Sequence, residues 1–238
     1  MNPTQVRRQW AQRSGEYSPE YYAYYGPNEM SETVRRLLES HVGREASVLE
    51  LGCSSGRHLS YLHEHGFSDL SGIEVNEDAT AVMAEAYPAL AADATLYINA
   101  IEDVIDGFED DQFDAVYSIQ TLQHVHPDSA WIFDELARIT GALLVTIEHE
   151  GSAESEEHAS NEGSAANKRS PESEEPAEID GATDLDVSYV NDEFPIYHRN
   201  WGEIFTERGF TAVETDAERR ETVRAFRAPS MDGDGTSR

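Results

Sequence analysis

The run Val48-Leu49-Glu50-Leu51-Gly52-Cys53-Ser54-Ser55-Gly56-Arg57 concentrates the residues that could hold a ligand. An apolar strand enters a turn of small residues, and a helix-forming stretch follows. Larger side chains would fill the space that Gly52 and Gly56 leave open, so a ligand can approach the backbone of the turn. In open α/β sheets such a turn sits at the carboxyl end of the first strand, where ligands bind. Glu74 lies twenty-two residues beyond Gly52, at the end of the strand-like run Gly72-Ile73-Glu74-Val75-Asn76. A carboxylate there can accept two hydrogen bonds from the vicinal hydroxyls of a ribose. Alone, Glu74 reads as a solvated acid at a strand end; in register with the turn, it reads as a ribose acceptor.

Two kinds of nucleotide site use such a turn. A dinucleotide site needs G-x-G-x-x-G. Starting from Gly52, that pattern requires glycine at positions 54 and 57, where this chain has Ser54 and Arg57. The pattern Glu50-x-Gly52-x-x-x-Gly56 instead resembles motif I of the class I S-adenosylmethionine-dependent methyltransferases, with Ser54 where many members have glycine. The resemblance covers residues 46–148, and more loosely 196–228. It implies S-adenosylmethionine as cofactor. Glu50, Gly52, Cys53, Ser54 and Gly56 would form the loop beneath it, and Glu74 and Val75 would meet its ribose. Ala100, Ile101 and Glu102 would flank its adenine, with Ser118 and Ile119 at the end of the fourth strand. The competing reading of Asn99 to Asp103 is a capping turn before a short helix.

The segment 113–125 (FDAVYSIQTLQHV) resembles the fourth strand of that family and the loop beside the methyl group. Gln120, Gln123 and His124 are therefore candidates for the reaction site. The competing reading of His124 is a histidine hydrogen-bonded within its own loop. Methyl transfer is an in-line displacement that depends mainly on holding the nucleophile near the methyl carbon. A base is needed only where the nucleophile must lose a proton. No catalytic side chain is thus assigned, with Gln120, His124 and Tyr21 as candidates. Tyr21 belongs to the cluster Tyr17 to Tyr25, which has two readings. It either covers the cofactor with one ring near the sulfonium, or straps the sheet by apolar packing. His149, Tyr197 and His198 are placed beside the acceptor by fold analogy alone.

The elements that must position these groups follow from apolar periodicity. Strands are expected at 47–51, 70–75, 95–98, 113–119 and 142–147. Helices are expected at 4–13, 31–39, 57–65, 77–87 (stopped by Pro88), 128–139 and 199–208. Residues 210–215 and 222–228 read as a closing hairpin. Strands alternating with helices imply a Rossmann-like, doubly wound, mostly parallel sheet, with an antiparallel C-terminal strand and an N-terminal helical extension. The expected organisation is an extension over 1–46, a methyltransferase domain over 47–228 and a flexible tail over 229–238. A disordered acidic insertion at 150–182 would interrupt the domain.

The 238 residues carry 47 acids against 17 bases, a net charge of −30, with a single lysine, Lys168. The segment 150–182 accounts for only −8 of this, so the acidity is spread over the whole chain. A surface so anionic repels itself unless salt screens it. The acidity reads as that of a salt-adapted, haloarchaeal proteome, the competing reading being a cationic partner, and a cytoplasmic location is expected. Binding to a phosphate backbone runs on clustered lysine and arginine, so a bulk nucleic acid substrate is not expected, and a small-molecule acceptor is. The N-P-P-Y type signature of amide-nitrogen methylation on bases is absent after the fourth strand. No apolar stretch approaches the ~20 residues of a membrane span. Cys53 stands alone, so neither an internal disulfide nor a multi-cysteine metal site is expected. Three other readings stay open: a catalytically silent scaffold with this fold, a nucleotide-dependent oxidoreductase, and a purely structural α/β domain. The oligomeric state is not legible.

Overall fold

In a computed structural model of the chain, residues 1–150, 185–191, 193–217 and 221–229 are described. The expected acidic insertion and tail lie outside them, apart from Glu150 and Pro229. Seven strands form one sheet: β1 (Val48–Leu51), β2 (Leu70–Glu74), β3 (Thr95–Ile98), β4 (Phe113–Ile119), β5 (Thr140–Glu148), β8 (Thr211–Asp216) and β9 (Thr222–Arg227). Their order is β3-β2-β1-β4-β5-β9-β8. The first five are parallel to one another, and β9 runs antiparallel to both β5 and β8. This is the Rossmann-like, mostly parallel sheet expected from the sequence. The order reverses at β1, and the crevice beyond the carboxyl ends of β1 and β4 is the binding position of such sheets.

Side chains alternate across a strand with a period of two, and here each set meets its own helices. Val48, Ala115, Tyr117, Leu143 and Val145 face one apolar layer. It is completed by α3 (Glu29–His41), α4 (Arg57–Glu64), α5 (Asp78–Ala86) and α6 (Pro88–Asp93). Leu49, Leu51, Ile73, Val116 and Leu144 face the other, with α7 (Ile101–Val104), α8 (Ile132–Ile139) and α9 (Trp201–Thr206). Strands covered on both faces read as near-continuous apolar runs, which is why the five parallel strands were legible.

Several boundaries differ from the sequence reading, for local reasons. Pro88 does not merely stop a helix; it occupies the first turn of α6, where its missing N–H is no loss. The helix expected from residue 128 begins at Ile132, after a tighter turn over Pro127–Ser129. Two short strands, β6 (Val187–Val190) and β7 (Phe194–Tyr197), form a separate antiparallel hairpin that was not expected. Ahead of the sheet lie α1 (Pro3–Ala11) and α2 (Pro19–Tyr25). No described helix is long and apolar enough to cross a membrane.

Trp201 anchors the second layer. It is fully buried, edge-on to Phe133 at 5.5 Å, and its indole N–H donates to the His149 carbonyl at 3.2 Å. Trp201→Ala should lower unfolding free energy by ~3–5 kcal/mol. Urea denaturation in molar potassium chloride, the condition that a −30 charge calls for, checks this.

Candidate active site

A cavity opens at the carboxyl ends of β1 to β4. The turn after β1 contributes Gly52, Cys53 and Ser54 to its wall, and the end of β2 contributes Glu74, Val75 and Asn76. Asn99, Ala100, Ile101 and Glu102 follow from the loop after β3, and Ile119, Gln120, Thr121 and His124 from beyond β4. Gly52, Ser54 and Gly56 all adopt positive φ, at 67°, 49° and 79°. The tight reversal this creates brings the Ser54 N–H to Glu74, where it donates to Oε2 at 2.8 Å. The Asn76 N–H donates to Oε1 at 2.7 Å. Glu74 is buried, and burial raises its pKa against these two hydrogen bonds. Each oxygen accepts one backbone N–H and keeps a lone pair for a ligand. No cation pairs with it among the described residues. A neighbouring pair of hydroxyls would satisfy this carboxylate, and the small and apolar side chains of Ala100 and Ile101 leave a flat face for a base. The residues present therefore fit an adenosine.

Glu50 and Arg57 line the same cavity. Tyr117 donates its hydroxyl to Glu50 Oε2 at 2.9 Å, and burial pushes the Glu50 carboxyl up to about 8. Arg57 has no carboxylate partner among the described residues. Its guanidinium lies 4.5 Å from the centre of the Tyr22 ring, and its Nε donates to His58 Nε2 at 3.1 Å.

The N-terminal segment forms the remaining wall: Val6, Arg7, Trp10 and Arg13, then Tyr17, Pro19 and Tyr22. Trp10 lies 4.2 Å from Phe194 and 4.8 Å from His124, centre to centre. Asn76 Nδ2 donates to the Arg13 carbonyl at 3.0 Å, and Arg13 pairs with Glu193 at 2.8 Å. The tyrosine cluster thus divides. Tyr17 and Tyr22 face the cavity, and burial pushes the Tyr22 hydroxyl up to about 12. Tyr24 and Tyr25 are exposed.

Residues 48–141 match the methyltransferase-domain family. Over these residues the chain carries a methyltransferase domain. Solved structures share its fold. The 1,6-didemethyltoxoflavin N1-methyltransferase of Burkholderia thailandensis, with bound 1,6-didemethyltoxoflavin and S-adenosylhomocysteine, is 14% identical, with a TM-score of 0.66 over 97% of this chain and 92% of that one. An S-adenosylmethionine-dependent methyltransferase from Mesorhizobium loti is 17% identical, with a TM-score of 0.57 over 89% and 99%. The magnesium protoporphyrin IX methyltransferase of Synechocystis, with bound S-adenosylmethionine, is 14% identical, with a TM-score of 0.55 over 95% and 91%. No curated protein matches the chain.

Most residues expected in the methyltransferase site come together around the one cavity: Glu50, Gly52, Cys53, Ser54, Glu74, Val75, Ala100, Ile101, Glu102, Ile119, Gln120 and His124. Four do not line it, among them Gln123, whose buried amide oxygen accepts the His149 N–H at 2.9 Å. Gly56 is needed for packing, since a Cβ there would meet Met83 and Leu90. Ser118 turns its hydroxyl to Glu148 at 2.5 Å. Tyr21 packs among Tyr17, Tyr22 and Tyr25 instead of facing the cavity. His149, Tyr197 and His198, placed near the acceptor by analogy, are also outside the wall. His198 meets Ser188 at 2.8 Å, and the Tyr197 ring lies 5.5 Å from His126.

His124 lines the cavity and is hydrogen-bonded across to β7. Its Nδ1 lies 2.7 Å from the Pro195 carbonyl, which only accepts, so Nδ1 carries the proton. Burial lowers its pKa to about 4, and the ring still faces the cavity. Gln120 is held in a left-handed conformation (φ 52°), and its amide donates to Glu221 at 2.8 Å. Arg57, Thr121 and the residues ahead of the tyrosine cluster, Val6, Arg7, Trp10 and Arg13, were missed as site residues. Arg57 directly follows the last glycine of the turn and was there to be read; the others are brought in by long-range packing.

Glu50 gives the protein a testable pH signature. Its folded pKa of about 8 lies above the ordinary glutamate value. The folded state therefore holds the proton longer, and stability is lost as pH rises from about 4.5 through about 8. Relative to Glu50→Gln, wild type should lose up to ~1.4 kcal/mol per pH unit across that window. Chemical denaturation of both proteins at a series of pH values checks this. A constant difference would show that Glu50 does not titrate there.

Proposed function

We propose that the protein transfers a methyl group from S-adenosylmethionine to a small-molecule acceptor held under α1 and α2. The observation that carries this reading is Glu74, buried at the end of β2 inside the cavity and tied to the glycine turn through the Ser54 N–H. When bound, the cofactor supplies a methyl group on a sulfonium, a good leaving group. Glu74 accepts the two ribose hydroxyls, with Val75 alongside. Ala100 and Ile101 pack on the adenine, and Glu102 borders it. Glu50, Gly52, Cys53 and Ser54 line the amino-acid end, where Arg57 holds the carboxylate. Ile119, Gln120 and Thr121 border the reacting end. Trp10 and His124 wall the acceptor side, and the N-terminal helices exclude water.

Two of the similar structures are named for small acceptors, 1,6-didemethyltoxoflavin and magnesium protoporphyrin IX, which supports a small molecule here. The charge of −30 argues in the same direction, because it opposes a polyanionic substrate. It also supports a protein of a salt-rich cytoplasm, such as that of a haloarchaeon.

Calorimetry in molar potassium chloride tests the reading. Wild type should bind S-adenosylmethionine with micromolar affinity, and Glu74→Ala should abolish binding. No binding by folded wild type would sink the methyl-transfer reading and leave a scaffold on this fold. Arg57 has its own test. Arg57→Gln should weaken S-adenosylhomocysteine by ~10–100-fold, the worth of a charge-assisted pair. It should leave 5′-methylthioadenosine, which lacks the carboxylate, unaffected. Equal losses for both ligands would remove the carboxylate role.

A further inference from the structure

The segment 119–125 supplies Ile119, Gln120, Thr121, His124 and Val125 to the cavity wall, and it holds the strained Gln120. Left-handed backbone at a residue other than glycine persists only where its surroundings over-determine it. What fixes this segment is a pair of buried charged residues that do not bond to each other. Glu148, the last residue of β5, is fully buried. Its Oε1 accepts the Thr121 N–H at 3.2 Å, the Leu122 N–H at 3.1 Å and the Ser118 hydroxyl at 2.5 Å; its Oε2 accepts the Gln123 N–H at 3.2 Å. Arg199 is 4% exposed. It donates to the Val125 carbonyl at 2.6 Å and the Leu122 carbonyl at 3.5 Å. The rings of Phe133, Tyr197 and Trp201 stand 5.4–5.7 Å from its guanidinium.

We propose that Glu148 is the positioning residue for the reacting end of the cavity, its carboxylate gathering three consecutive backbone N–H groups while Arg199 holds carbonyls of the same segment. Each buried charge is thereby spent on the backbone dipoles of one short stretch. Removing the Glu148 side chain would orphan the Thr121 and Gln123 N–H groups, leave Leu122 only its 3.4 Å bond to the Ser118 hydroxyl, and release Thr121 and Gln120 from the wall. A neutral carboxyl has lost one acceptor site to its own proton, so the hold depends on ionisation. Burial moves the Glu148 carboxyl up to about 7, against the hydrogen bonds from Ser118 and the backbone. Arg199 is the charged group that faces it. Its chain neighbours point elsewhere, His149 towards Glu221 at 3.7 Å and Glu150 to Arg224 at 2.6 Å. The role in the reaction rests on the methyl-transfer reading above; the hold on the segment does not.

The test is nuclear magnetic resonance of the full chain in molar potassium chloride, with S-adenosylhomocysteine titrations alongside. In wild type, the amide signals of Thr121, Leu122 and Gln123 should move together, with one midpoint between about pH 5.5 and 8.5, the window around the Glu148 value. Glu148→Gln should remove that midpoint, speed hydrogen exchange at these amides at least about tenfold, and weaken S-adenosylhomocysteine by about tenfold. Val116 and Leu144, in the sheet, should stay protected. A glutamine variant with native exchange at the three amides and native affinity would overturn the proposal. If that variant does not fold, wild type alone decides, since amides that share no midpoint anywhere in the pH range over which the protein stays folded overturn it equally. Wild-type protein that titrates as expected but binds no S-adenosylhomocysteine refutes the methyl-transfer reading, and with it the reaction role.

Discussion

Three carboxylates, those of Glu50, Glu74 and Glu148, are buried along the carboxyl side of one sheet, and none has an ion pair among the described residues. Taking a carboxylate out of water is costly unless hydrogen bonds replace its hydration. Here the replacements are neutral: the Tyr117 hydroxyl, the N–H groups of Ser54 and Asn76, and those of Thr121, Leu122 and Gln123. Most of these donors sit on the loops that leave the strands. The need to solvate each acid therefore fixes the turn after β1, the end of β2 and the segment after β4 relative to one another. The cavity is the space that remains between them.

The N-terminal helices attach to this frame by mixed means. Arg7–Asp103 at 3.2 Å and Arg13–Glu193 at 2.8 Å are partly exposed pairs, which salt weakens. At an ionic strength that screens a net charge of −30, such pairs contribute little. The packing of Trp10 on Phe194 and His124 and the buried Val6 are indifferent to ionic strength, and the Asn76 amide reaching the Arg13 carbonyl carries no net charge. The covering of the site is thus aromatic and apolar where the rest of the surface is acidic.

How much of this was legible follows from the range of the interactions. The runs VLEL, LSGIE and FDAVYSI announce buried strands by local composition, and the Glu50 to Gly56 spacing announces the turn between them. Glu74 was legible because a strand's carboxyl end is set by its own sequence. The role of Trp10 was not, since its partners lie more than a hundred residues away and its environment exists only after folding. The β6–β7 hairpin escaped because each strand has four residues and β7 contains Pro195, which weakens any strand signal. Ser118 was misplaced because alternation alone turns its side chain to Glu148, which no motif encodes.

The wall formed by α1 and α2 is contiguous in the chain and ends at Tyr25, well before β1 begins at Val48. The pieces assigned to the cofactor come from the strands and their loops, whereas much of the surface an acceptor would touch comes from this one leading stretch. A recombination event near residues 26–28 could exchange it without breaking a single strand pairing. A chain built on this sheet could therefore exchange that wall while keeping the strands, the glycine turn and Glu74 in place.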